Sequence, residues 1–90
     1  MDEGEAEIRL VLQHMHQQKV ITDQEFKDMN TFIDDDGTLG AIAGISAVVQ
    51  YDPNAIPSEL LDEILALEPV FDEEYYQDML DALADRTTTH

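Results

Sequence analysis

The ninety residues contain no cysteine, only four lysines and arginines, and no apolar run long enough to cross a bilayer. Each lack excludes something. Without cysteine there is no disulfide framework, no thiolate zinc site and no thiol nucleophile. With four cations against 21 aspartates and glutamates, the formal net charge is -17. Direct binding to DNA, RNA or an anionic lipid surface needs a positive footprint, and none is available. The N-terminus, MDEGEAE, is acidic from its second residue, whereas a secretory signal opens on basic residues and continues into an apolar stretch. The longest uncharged stretch, Gly37 to Tyr51, is 15 residues long and is interrupted by small and polar side chains. These features lead us to expect a cytoplasmic protein.

What is present is apolar and periodic. Hydrophobic residues make up 43% of the chain, too many for a disordered acidic tail. Ile8, Val11, Leu12 and Met15 recur at helical spacing within Glu5 to Gln18. Thr22 and Glu25 form a capping-box pair that starts a second helix, with Phe26, Met29 and Ile33 on one face. Asp34-Asp35-Asp36-Gly37 ends it, with Gly37 suited to the left-handed C-terminal position. Thr38 is positioned to cap a third helix through about Tyr51, which carries no charge and so reads as the buried centre of a bundle. Its β-branched residues also suit a strand, but a lone strand would have no partner. Pro57-Ser58 opens a fourth helix with Leu60, Leu61, Ile64 and Leu65 inward, and Pro69 limits it. Asp72 caps a fifth, with Tyr76, Met79, Leu80 and Leu83 as its apolar stripe. The expected fold is all-α, a compact bundle of about five short helices around a central uncharged one. It forms a single domain over residues 1–85, with 86–90 as a frayed tail.

The acids are unevenly spread. No cation lies between Lys27 and Arg86, a stretch holding 15 acids. On the fifth helix Glu74, Asp78, Asp81 and Asp85 share one face, opposite the apolar stripe. On the fourth, Glu59, Asp62 and Glu63 form a similar patch. Like charges at these spacings cost about 0.2–0.5 kcal/mol per pair. Low pH or added salt should therefore stabilise the fold until packing itself is lost. Residues 72–85 would form a helix about 21 Å long at ~1.5 Å per residue. Six acids fall on it, roughly one per 3.5 Å, against one phosphate per about 3.4 Å of a DNA strand.

That match makes a phosphate mimic the leading expectation: a non-enzymatic acidic protein seated in the basic groove of a nucleic-acid-binding protein. In size and charge the chain resembles the acidic inhibitors of phages and mobile elements that block restriction, CRISPR, repair or transcription machinery. The residues expected at the contact are Asp34, Asp35, Asp36, Glu59, Asp62, Glu63, Asp72, Glu73, Glu74, Asp78, Asp81 and Asp85. Two alternatives exist. A helical adaptor or homodimer would use Leu10, which departs from the first helix's apolar face, and Gly40 and Gly44, four apart. Those glycines equally suit close packing within the domain. A salt-adapted protein would carry its acids for solubility alone, and would gain helix only in molar salt.

Two local resemblances concern the second helix. Glu25-Phe26-Lys27, Phe32 and Asp36-Gly37-Thr38-Leu39 resemble the entering helix and loop of an EF-hand. The loop departs from that pattern, because the first ligand position falls on Phe32 and the last on Ala43, so no tight calcium site is expected. Gln17 to Phe26 resembles the turn of short SHOCT-type two-helix hairpins, with Lys19 and Val20 in the region where those have glycine. His14 and His16 point about 200° apart on a helix and share no metal-binding face, which leaves them as solvated polar positions. No nucleophile–base arrangement or phosphate loop is recognisable, and neither catalysis nor a cofactor is expected.

Overall fold

The computed structural model describes the backbone of residues 4–88 and the side chains of residues 4–84. Five helices follow one another: α1 (Glu5–Gln17), α2 (Asp23–Asp36), α3 (Leu39–Tyr51), α4 (Ser58–Leu65) and α5 (Glu73–Thr88). Single 3-10 turns at Pro53–Ala55 and Glu68–Val70 join the last three. No strand occurs among the described residues. The radius of gyration, 12.4 Å, is that of a folded chain of this length, about 12 Å.

Each helix boundary has a local cause. α1 ends in a Schellman motif: Val20 N–H donates to Met15 C=O (2.8 Å) and Lys19 N–H to His16 C=O (3.0 Å). Lys19 takes the left-handed conformation this requires (φ 61°), at a cost of roughly 1 kcal/mol relative to glycine. Lys19 lies in the region where the hairpin resemblance expects glycine. α2 opens on the capping box, with Glu25 N–H donating to Thr22 Oγ1 (3.1 Å) and Thr22 N–H to Glu25 Oε1 (2.8 Å). Asp72 Oδ1 accepts from the N–H groups of Glu74 (3.0 Å) and Tyr75 (3.3 Å), which caps α5.

Several expectations need correction. Gly37 has positive φ (89°) but ψ of -166°, which is a mirror-extended conformation rather than the left-handed helical one. That region is essentially restricted to glycine. It turns the chain straight into α3 instead of winding it back over α2. Thr38 stands at the N-cap of α3 with helical dihedrals and makes no side-chain capping bond. The segment resembling an EF-hand is helical on both sides of Gly37-Thr38, leaving two residues where a calcium loop has twelve. α5 continues through Arg86 to Thr88, beyond the expected boundary at 85. Residues 89 and 90 of the expected tail lie outside the described residues.

The core gathers Ile8, Leu12 and Met15 of α1, Met29 and Ile33 of α2, Ile42, Ile45 and Val49 of α3, Leu60 and Ile64 of α4, and Met79 of α5. α3 is central, touching α1, α2, α5 and the Pro53–Ala55 turn. Its charge-free sequence does not mean burial all round. Ala41, Ile42, Ile45, Ser46 and Val49 are buried, but Leu39, Ala47, Gln50 and Tyr51 are exposed. On α5 the buried arc centres on Met79, with Tyr75 and Leu83 about 40° to either side at 3.6 residues per turn. Leu80 lies about 100° round and is exposed, so Tyr75 takes its expected place.

Two tight contacts fix the ends. Gly4, at the N-cap of α1, abuts Val70; a Cβ there would come within 2.5 Å of the Val70 Cβ. Tyr76 packs edge-on against Phe71 (centroids 5.8 Å apart) and donates its hydroxyl hydrogen to Leu65 C=O (2.9 Å). Burial, and then the charge of Glu68, push the Tyr76 phenol above its ordinary value of 10. The unfolded phenol ionises near pH 10 while the folded one stays neutral to higher pH. Its contribution to stability is therefore full below about pH 10 and lost as pH rises through the folded value. Tyr76→Phe should remove an ionisation above about pH 10 from the ultraviolet titration and flatten that alkaline loss of stability. An unchanged titration would contradict the assignment.

Candidate functional site: an acidic surface

α1 carries its polar groups on the two flanks of its buried arc. Arg9 and His16 lie on one flank and His14 on the other, because two residues advance a helix by about 200°. The first flank meets α2. Arg9 Nη2 donates to Asp34 Oδ1 at 2.6 Å, Nη1 to Asn30 Oδ1 at 2.9 Å, and Nε to Glu5 Oε2 at 3.3 Å. The hydrogen bond to Asp34 raises the guanidinium further above its already high value, against the opposing effect of burial. His16 bonds Asp23 through Nε2 and stacks on Phe26, rings 4.5 Å apart and nearly parallel. The other flank meets α4, where His14 Nδ1 and Glu63 Oε1 are 2.6 Å apart. The two histidines are thus partners of acids on neighbouring helices, not free solvated positions.

This pairing sorts the twelve acids expected at a partner contact. Asp34 is held by Arg9, Glu63 by His14, and Asp72 is spent on capping its own helix. Glu63 was expected on a patch opposite the apolar face. It sits on the flank instead, because Leu60 is buried and turns that side of α4 toward α1. Asp35 and Asp36 at the end of α2, Glu59 and Asp62 on α4, and Glu73, Glu74, Asp78 and Asp81 on α5 are exposed. None of these eight has a cationic partner among the described residues. Asp81 accepts a hydrogen bond from Gln77 (3.1 Å). The Asp85 side chain lies outside the described ones. The exposed acids fall into groups by element, and the α5 group forms one stripe along one helix.

The residues considered for self-association divide. Leu10 is exposed on α1. Gly40 and Gly44 face α2 within the chain: a Cβ at Gly40 would lie 3.1 Å from Phe32 Cβ, and one at Gly44 would lie 3.0 Å from Met29 Sδ. Their lack of side chains is accounted for by close α2–α3 packing.

A feature that sequence reasoning missed lies beside Gly44. Val20, Glu25, Met29, Gly44, Ala47, Val48, Tyr51, Asp52 and Ala55 line a groove of about 520 Å³ between α2 and α3. Gly44, Ala47, Val48 and Tyr51 are spaced i, i+3, i+4, i+7, so the outer face of α3 was legible as a second apolar stripe. Among the described residues no group of three or more histidines, aspartates and glutamates is arranged to hold a metal ion. No helix among them is long and apolar enough to cross a membrane. No known protein family, curated protein or solved structure matches the chain.

Proposed function

We propose that the protein binds a basic nucleic-acid-binding protein through its exposed carboxylates and occupies the groove that would otherwise hold a phosphate backbone. One observation carries this reading. Arg9, His14 and His16 are spent within the fold on Glu5, Asp34, Glu63 and Asp23, and the α5 stripe is left without a cation among the described residues. A solvated surface ordinarily intersperses both signs. Here no lysine or arginine lies between Lys27 and Arg86. The remaining acids project a field that steers a basic partner and then accepts hydrogen bonds from its arginines and lysines. Such a decoy would act in the cytoplasm, as the counter-defence and host-takeover proteins of phages do against restriction, CRISPR or transcription machinery.

The test is a column carrying the protein, loaded with cell lysate at low salt and eluted with a salt gradient. The proteins released should bind nucleic acid, and duplex DNA should displace them from the column by competing for the same groove. Release of proteins that DNA cannot displace would overturn the mimicry.

A further inference from the structure

The groove between α2 and α3 is separate from the α5 stripe and has a chemistry of its own. α3 is a 13-residue helix without a single charge in a chain where 28% of residues are charged. Burial explains one face only. The other face, Gly44, Ala47, Val48 and Tyr51, borders the groove, and Tyr51 stands 92% exposed at its edge. Gly44 and the small Ala47 leave the floor open. Met29 and Val20 provide apolar walls. The only charged lining residues are two carboxylates, Glu25 and Asp52.

We infer that this groove receives the apolar side chains of a cationic amphipathic helix. A helix laid in a groove between two helices presents anchors at i, i+3, i+4 and i+7. Exposed tyrosine at such an edge supplies large contact area at small entropic cost. The sign of the rim selects the occupant: lysines or arginines flanking the apolar anchors meet Asp52 and Glu25, one oxygen of which also accepts from Thr22 N–H in the capping box. A second copy of this chain is disfavoured, since each copy carries -17. The inference rests on the reading of a basic partner and adds an apolar anchor to it.

The probe is a short synthetic helix made only of leucine and lysine, with leucines on one face, beside a scrambled peptide of the same composition. Each is titrated into methyl-labelled protein and followed by NMR. The patterned peptide should shift the methyls of Val20, Met29, Ala47 and Val48 and bind at least about tenfold more tightly than the scramble. Ala47→Glu adds a negative charge at an exposed position while filling the floor. Tyr51→Ala removes the edge contact. Each should weaken the patterned peptide by about tenfold, with unchanged helix content.

Equal affinity for the two peptides, or equal or tighter binding by Ala47→Glu, would leave a purely electrostatic contact and overturn the groove. The acidic-stripe reading would survive that result. Concentration-dependent shifts of the same methyls without peptide would assign the groove to a second copy and also overturn the proposal. Failure of DNA to compete in the column experiment, with the groove still binding the patterned peptide, would sink the phosphate mimicry alone.

Discussion

Reversing Glu74, Asp78 and Asp81 to lysine is expected to abolish partner binding and to leave the fold standing. All three are exposed on one stripe of α5. A charge-assisted hydrogen bond contributes about 1.5–3 kcal/mol, so losing three corresponds to at least ~10³ in affinity, and the new repulsion adds to it. Stability should barely move, for reasons that offset one another. Each reversal adds two positive units, so the net charge falls in magnitude from -17 to -11. Repulsion within the stripe persists with its sign inverted. Glu74 stands in the first turn of α5, where a negative charge favours the helix dipole by about 0.3–1 kcal/mol, and lysine there gives that back. The melting temperature should therefore shift by only a few degrees, roughly 5 °C at most. Retained binding in the salt-gradient experiment, with the helix signal intact, would show that the stripe is not the contact.

Ile45→Ala is expected to have the largest effect on stability. Ile45 is fully buried at the middle of α3, the helix that touches α1, α2 and α5. Truncating a buried isoleucine to alanine costs about 2–5 kcal/mol. A domain of this size has only about 5–15 kcal/mol in all. The melting temperature should fall by roughly 8–40 °C, since 1 kcal/mol moves it about 4–8 °C at this size. Leu10→Ala, at a half-exposed position on α1, should stay within about 0.5 kcal/mol of the parent. Thermal melts of the two variants side by side decide it: similar curves would mean that α3 is not the centre of the packing.

The helices and their inward faces were legible in the sequence because they depend on spacing and local chemistry. Thr22 with Glu25, Asp72 before Glu73, and Ile8-Val11-Leu12-Met15 all act within a few residues of one another. What was not legible acts across the chain. Arg9 finds Asp34 and Asn30, and His14 finds Glu63, only after α1 has been laid against α2 and α4. The lack of lysine and arginine between Lys27 and Arg86 therefore does not isolate Asp34 and Glu63. Absence of charge usually means burial, and α3 carries none. The structure shows one buried face and one open one. The i, i+3, i+4, i+7 spacing of Gly44, Ala47, Val48 and Tyr51 was available, but small residues leave a weak hydrophobic signal.

Ser46 is the one buried polar side chain among the described residues. Its hydroxyl donates to Tyr75 C=O at 2.9 Å and accepts from Gln50 Nε2 at 2.9 Å. Apolar contacts are non-directional, and the packing of Met79, Tyr75 and Leu83 would by itself tolerate some roll of α5 about its own axis. The bond from Ser46 acts as a rotational stop. It fixes one carbonyl of the first turn against α3, and with it the compass bearing of the other side chains on the helix. The Ser46 hydroxyl in the core, together with the Tyr76 hydroxyl on Leu65 C=O, thus sets the direction in which Glu74, Asp78 and Asp81 are aimed.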